Sequence, residues 1–231
     1  MKLLDLIFPK YCVNCKKFGD YLCSDCFSRL SFDTKNICLV CTKPTYDGLT
    51  HPRCHEKYKI DGSFTGVVFN PVSKKLVYQF KYKPYLSSLS PFLTDLLYES
   101  LIQDEEFNRV LGSQLVFVPI PLSSKRLKKR GYNQAEILAK GLSKKFGFEV
   151  CNYLDRVKET RSQVGLSKKE RKENVKGAFK LAKKFENSLK NKNIILVDDV
   201  LTTGSTFSEA SSVLKRGRAS KVWAIAFAKE N

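Results

Sequence analysis

IILVDDVLTTGST, residues 194–206, is the stretch whose reading decides the fold. Ile194, Ile195, Leu196 and Val197 form an unbroken apolar run, the pattern of a parallel strand covered on both faces. Asp198 and Asp199 follow at its carboxyl end, where open α/β sheets place their ligands. Thr202, Thr203, Gly204, Ser205 and Thr206 then form a turn of small residues, and Ser205 or Thr206 can cap the helix predicted over residues 207–215. Such a turn aims consecutive backbone N–H groups, the positive end of a helix and several hydroxyls at one phosphate dianion. Gly204 lets the backbone approach closely. An acidic pair closing a strand is common to many nucleotide and Mg²⁺ sites, but here pair and turn stand in register, which points to a phosphorylated ribose.

The stretch resembles the phosphoribosyl pyrophosphate (PRPP) motif of type I phosphoribosyltransferases at every position. That resemblance assigns Asp198 and Asp199 to the ribose 2′ and 3′ hydroxyls and residues 202–206 to the 5′-phosphate. The chemistry needs both parts. Departure of pyrophosphate from C1 builds positive charge on the sugar ring, so carboxylates beside it stabilise that charge while the turn holds the substrate in position.

Working outward, residues 64–69 and 114–120 are expected strands, and residues 73–83, 91–103 and 135–146 expected helices, the last stopped by Gly147. A mixed apolar strand is expected over residues 148–154, with Cys151 an inert buried thiol. With a closing strand over residues 221–228, the order predicts an α/β fold, a mostly parallel sheet with flanking helices. Between Pro121 and the helix at Ala135, a loop is expected that carries Lys125, Arg126, Lys128, Lys129 and Arg130. A solvated surface is the bland reading of such a run. Its place directly after a strand end favours binding of diphosphate or of nucleic acid backbone. A second basic stretch, residues 156–176, contains Arg161, Gln163, Arg171 and Asn174 as the members to watch.

Seven of the eight cysteines lie within residues 12–54. They form three C-x-x-C pairs, Cys12 with Cys15, Cys23 with Cys26 and Cys38 with Cys41, plus Cys54 with His51 three residues before it. Four knuckles suit two tetrahedral Zn²⁺ ions, one held by four thiolates and one by three thiolates and an imidazole. His51 is preferred to His55, the immediate neighbour of Cys54, which would need an unusual chelate. Sequential pairing of the knuckles is favoured; interleaved pairing, with gaps nearer the usual ribbon spacing, is the alternative. A disulfide framework is disfavoured because a cytoplasmic chain is reduced. Metal binding here would supply folding energy to a segment too small for its own core. The composition changes near residues 58–62, so the expected division is a double zinc-ribbon domain over residues 1–58 and a phosphoribosyltransferase-like domain over residues 59–231.

The net charge of +18 favours polyanionic partners. No apolar run approaches the ~20 residues that span a bilayer, and the start is broken by Asp5 and Pro9 with no small-residue cleavage site. The expectation is a cytoplasmic protein without membrane insertion, in which Leu3, Leu4, Ile7 and Phe8 form a short amphipathic turn packed on the fold.

Taken together, the knuckle-rich start, the Phe80-Lys81-Tyr82 triplet, Val118-Pro119-Ile120-Pro121 with Arg130-Gly131-Tyr132-Asn133-Gln134, and the run from Arg161 and Gln163 through Leu166, Ser167, Arg171 and Asn174 to Gly177-Ala178-Phe179 resemble the ComF family of competence-associated, phosphoribosyltransferase-like proteins. The resemblance implies that Lys125, Arg126 and Arg130 contact pyrophosphate and that residues 156–176 form a mobile loop covering the site. It also implies Mg²⁺ with PRPP, a link to DNA uptake in natural transformation, and a helicase-like partner. Where family members carry a fourth C-x-x-C, this chain has His51-x-x-Cys54. Weak, sequence-tolerant binding of single-stranded DNA is expected, with Lys128 and Lys129 on the backbone and Tyr132 stacking on bases. Two functions of different class follow: a transferase acting on an unidentified acceptor, and a nucleic-acid-handling module that retains the PRPP pocket.

Overall fold

The computed structural model describes residues 9–82, 89–112, 115–160, 165, 167–185 and 188–230. The turn expected at Leu3, Leu4, Ile7 and Phe8, and the positions Arg161, Gln163 and Leu166, lie outside the described residues. In chain order the described elements begin with α1, Ser24–Phe27, in a cysteine-rich segment that also holds a 3-10 turn, Pro52–Cys54. There follow β1 (Gly62–Val68), α2 (Pro71–Tyr82), α3 (Leu89–Ile102), α4 (Glu105–Val110), β2 (Leu115–Pro119), α5 (Ser124–Arg130), α6 (Gln134–Phe146) and β3 (Glu149–Val150). The remainder is β4 (Leu154–Arg156), α7 (Lys168–Val175), β5 (Phe179–Leu181), a 3-10 turn (Lys183–Phe185), β6 (Asn193–Leu201), α8 (Ser205–Arg216) and β7 (Lys221–Lys229).

Five strands form a wholly parallel sheet in the order β1-β7-β6-β2-β3, and β4 pairs antiparallel with β5 beside it. This is the mostly parallel α/β sheet the sequence predicts. The central strands alternate between two cores, as a period of two requires. Ile195, Val197, Phe117 and Ile225 enter the first core, and Ile194, Leu196, Val116 and Ala224 the second. Helices α2, α3 and α6 cover the first face through residues such as Leu76, Leu97 and Leu138; α8 covers the second through Phe207, Ala210 and Leu214.

Local chemistry explains the helix ends. Asn70 accepts from the N–H groups of Val72 (3.0 Å) and Ser73 (3.1 Å) before Pro71 opens α2. Asn133 accepts from Ala135 N–H at 3.1 Å, and Gly147, at φ 76°, ends α6 with its N–H on the Ser143 carbonyl.

Chain connections turn in opposite directions after β2 and β6. From β2 the chain runs through α6 to β3 on one edge, and from β6 through α8 to β7 toward the other. The carboxyl ends of these neighbouring strands therefore flank a topological switch point, where open α/β sheets bind ligands.

Five local expectations are corrected. Strand β6 does not stop before the acidic pair: Asp198 pairs with Ala226 and Leu201 with Lys229, because β7 is long enough to carry the ladder onward. The basic run is not a loop but the helix α5, closed by Gly131 at φ 80°. Residues 148–154 are not one strand, since β3 joins the main sheet and β4 the small one. Residues 156–176, expected as a loop, contain α7, which starts with a capping box between Ser167 and Glu170. Finally, neither Ser205 nor Thr206 caps α8; Gly204 occupies the N-cap at φ 73°, and the Ser205 hydroxyl lies 2.9 Å from that of Thr203.

The cysteine-rich segment packs on both cores. Val13, Leu22 and Leu30 join the first, and Leu39 and Ile60 the second. At its junction with the sheet, the buried Asp61 carboxylate accepts from Val222 N–H at 2.8 Å and pairs with Lys215 at 2.6 Å.

Candidate functional site

A cleft of about 510 Å³ opens at the switch point. Its floor is Asp198 and Asp199 on β6, and one wall is the turn through Thr202, Gly204, Ser205 and Thr206. The opposite wall comes from α5, which contributes Arg126, Lys129 and Arg130; α2 adds Lys81 and Tyr82, and Arg156 and Arg171 stand on the remaining sides. Thr203 faces instead a neighbouring cleft of about 360 Å³, which reaches the cysteine-rich segment at Leu39, Val40 and Thr42.

The helical form of residues 124–130 sorts the basic side chains by period. Arg126, Lys129 and Arg130, three and four apart, share the face toward the cleft, whereas Lys125 and Lys128 are exposed and absent from its lining. The sequence grouping, with Lys125 beside Arg126 and Lys129 beside Lys128, thus does not survive as geometry. The helix itself is held from a distance: Glu159 accepts from Ser123 Oγ at 2.9 Å and from Lys125 N–H at 3.2 Å, so a carboxylate meets the positive helix end. The Ser123 hydroxyl bond, followed by the Lys125 N–H, holds the Glu159 carboxyl below its ordinary range.

Asp199 is nearly inaccessible and pairs through Oδ1 with Lys81 Nζ at 3.0 Å. Its Oδ2 is buried with no hydrogen-bond partner among the described residues. The carboxylate of Asp198 accepts the Asp199 N–H at 2.8 Å. Burial, and then the charge of Asp199, pushes the Asp198 carboxyl up to about 7, against the opposing pull of Lys81 and Arg156. Arg156 is fixed by bonds from its guanidinium to the Pro121 carbonyl (3.3 Å) and the Thr160 hydroxyl, and burial lowers its pKa. Arg171, on α7, pairs with Glu230 at 3.1 Å.

Lys81 is the residue the site reading of the sequence omitted. It stood inside the Phe80-Lys81-Tyr82 triplet, but the ion pair with Asp199 bridges 118 positions and has no local signature. Tyr132 is half-buried, and its hydroxyl donates to the Phe80 carbonyl. That bond ties the turn after α5 to the last turn of α2. Its ring does not stand free for stacking.

The knuckles assemble in sequential pairs. The donor atoms of Cys12, Cys15, Cys23 and Cys26 lie within 4.8 Å of one another, as do those of Cys38, Cys41, His51 and Cys54. A tetrahedron with Zn–S bonds of about 2.3 Å has edges of about 3.8 Å. The Cys15–Cys23 sulfur separation of 3.5 Å and the 3.3 Å from Cys41 Sγ to His51 Nδ1 match that scale. His51 Nε2 lies 3.0 Å from the Pro44 carbonyl, the outer-shell bond that leaves Nδ1 unprotonated toward the cluster. His55 faces Asp61 at 4.0 Å instead. The Lys43 N–H leads the interactions that bring the Cys41 thiol down to about 6, while burial, followed by the Cys41 and Cys38 thiols, pushes that of its neighbour Cys54 up to about 11. All eight cysteines are free of disulfides. Both donor sets are closed, which suits structural ions.

Cleft, sheet and clusters define a protein with a phosphoribosyltransferase fold and an amino-terminal zinc-binding module. The family model of the double zinc ribbon domain matches residues 3–55, and that of the phosphoribosyl transferase domain residues 127–231. The chain is 32% identical over 214 residues to DNA utilization protein YhgH of Escherichia coli, covering 88% of this chain and 89% of the relative. It is 40% identical over 125 residues to Competence protein F of Haemophilus influenzae, 54% of each chain, and 28% identical over 219 residues to Competence protein ComFC of Bacillus subtilis, 89% of this chain and 83% of the relative. The chain belongs to the ComF family, whose members pair a double zinc ribbon with a phosphoribosyltransferase domain.

Proposed function

We propose that the cleft binds PRPP with Mg²⁺ and that the protein uses this site in the handling of single-stranded DNA during uptake. The observation that carries the reading is the juxtaposition of an acidic floor, with one buried acceptor atom unpartnered, and a helix-opening turn in the same cleft. Asp198 and Asp199 face the ribose hydroxyls; Thr202, Gly204, Ser205 and Thr206 surround the 5′-phosphate, with Thr203 turned to the neighbouring cleft; Arg126 and Arg130 meet the diphosphate, with Lys129 and Lys81 added by their place in the cleft. Lys125 and Lys128 point to a different anion, the DNA backbone. The relatives' names, which speak of competence and DNA utilization, support that half of the reading, as does the net charge of +18. The division at residues 58 and 59, a cytoplasmic location and a helicase-like partner belong to the same proposal. No described helix is long and apolar enough to cross a membrane.

A second reading, transfer of the phosphoribosyl group to a nucleobase or amine, is favoured by the acidic pair beside the site of the ring. In that step the bond from C1 to diphosphate breaks with its electron pair leaving on oxygen, and the acceptor's lone pair forms the new bond to C1. Carboxylates at the cleft floor would stabilise the charge that develops on the sugar.

The test of the pocket is thermal. A ligand bound only by the native state at a hundredfold excess over Kd adds about 2.7 kcal/mol of stability. Mg²⁺ with PRPP is expected to raise the melting temperature of the wild type and to leave that of the Asp198→Asn, Asp199→Asn double variant unmoved. An equal shift in both, or none in the wild type, removes the assignment. Pyrophosphate release with a panel of acceptors distinguishes transfer from binding alone.

A further inference from the structure

The last two turns of α2 expose two tyrosines that the cleft chemistry leaves unused. Tyr78 is 59% and Tyr82 49% exposed, and their rings stand 4.8 Å apart. Taken alone, aromatic residues four apart on a helix surface stabilise it by a few tenths of a kcal/mol, and an exposed pair of this kind calls for nothing more. A second element has been brought to them. Arg130, from α5, lays its guanidinium 5.0 Å from the Tyr82 ring centroid and reaches the Tyr82 hydroxyl at 3.5 Å. Tyr78, Tyr82 and Arg130 thus form a ladder of π faces running from solvent to the rim of the cleft, where Tyr82 and Arg130 are part of the lining.

The surroundings choose the occupant. Helix α2 contains no acidic residue, and α2 and α5 together bring Lys74, Lys81, Lys129 and Arg130 to the cleft rim, with Lys128 exposed just beyond. An apolar protein surface would bury these cations at a cost, and a duplex presents its bases edge-on. A single strand offers what the ladder lacks, unpaired aromatic planes joined by phosphates. The ladder is also held rigid: the Tyr132 hydroxyl bonded to the Phe80 carbonyl fixes the end of α2 against the turn that follows α5.

We propose that Tyr78 and Tyr82, with Arg130 stacked on Tyr82, are the platform on which bases of single-stranded DNA sit at the mouth of the cleft. This rests on the DNA-binding half of the function proposed above and moves the stacking role from Tyr132 to α2.

The test measures binding of a fluorescent oligothymidylate, and of an abasic strand of the same length, by anisotropy across a salt series. Wild type is expected to bind the thymidylate about tenfold or more tightly than the abasic strand, since each stacked base contributes on that scale. The Tyr78→Leu, Tyr82→Leu double variant should bind both strands equally and at the abasic level, with the wild-type salt slope, because no phosphate contact has been removed. Tyr78→Leu alone, which leaves every cleft residue in place, should weaken the thymidylate and keep the full thermal shift with PRPP. If wild type binds both strands alike, or the double variant keeps the preference for bases, the platform is wrong while DNA binding through phosphates stands. If wild type binds neither strand at low salt, the DNA-binding reading itself falls.

Discussion

The two cysteine clusters share a ligand chemistry and differ in what they lean on. The first packs through Val13, Leu22 and Leu30 onto the face covered by α2 and α3, and Asn14 accepts from Lys75 of α2 at 2.9 Å. The second sits against the turn at Gly204. Leu39, between Cys38 and Cys41, is buried in the other core, and a Cβ added at Gly204 would lie 2.8 Å from its Cδ2. Thr42, directly after Cys41, accepts from Lys168 at the start of α7. One module is therefore a brace for the sheet, and the other is a wall shared with the site. A metal site can be structural in both places and yet be coupled to binding in only one.

The strongest way to break that contrast is to remove the clusters one at a time. Each structural ion carries on the order of 10 kcal/mol of local folding free energy. Cys15→Ser and Cys41→Ser are each expected to lower the zinc content of the purified protein, measured by elemental analysis. Both should destabilise, but only Cys41→Ser should abolish the thermal shift with PRPP. Equal retention of that shift in the two variants would dissolve the distinction.

A smaller effect sharpens it at a single contact. Gly204 has a positive φ and Leu39 against its α-carbon, so Gly204→Ala is expected to cost about 1–3 kcal/mol. Leu39→Ala should cost about 2–5 kcal/mol through the cavity it leaves. The double variant should cost less than the sum, because the shortened side chain admits the new methyl group. Strict additivity in denaturant unfolding would show that the turn does not feel the second module.

The smallest effect separates cleft from clusters by pH. The Asp198 carboxyl, raised to about 7, keeps its proton in the folded state after the unfolded chain, with an ordinary value near 3.9, has lost it. Its contribution to stability is therefore fully present below about pH 4, falls as pH rises toward 7 and is flat above. Metal clusters behave in the opposite sense, losing their ions as acid protonates the thiolates. Asp198→Asn is expected to abolish the decline between pH 5 and 7 and to melt a few degrees above wild type at pH 8. A wild-type stability that rises across that interval, with Asn following it, would reverse the assignment.

How much of this the sequence disclosed depends on whether the cause was local. The run from Ile194 to Val197, the turn at Gly204 and the i, i+3 knuckles are self-contained patterns, and the structure places them as patterns of that kind demand. Helix α5 was not legible, because its only apolar side chain, Leu127, is exposed and its N-terminus is met by Glu159, from beyond β4's start in the chain. The two-strand split around Cys151 was equally hidden, since period-two alternation says nothing about which sheet a strand joins. The Tyr78–Tyr82 pair is a local spacing of four on a helix, whereas the ion pair of Lys81 with Asp199 and the approach of Arg130 to Tyr82 are products of tertiary packing.

One consequence of the Asp199 side chain concerns selection by omission. Its Oδ2, on a residue of the cleft floor, is buried and has no hydrogen-bond partner among the described residues. A buried acceptor left in that condition costs about 1–3 kcal/mol, and a guest bearing a hydroxyl there relieves the deficit while a guest lacking it cannot. For the sugar phosphate proposed above, such an atom would favour ribose over deoxyribose without any steric gate.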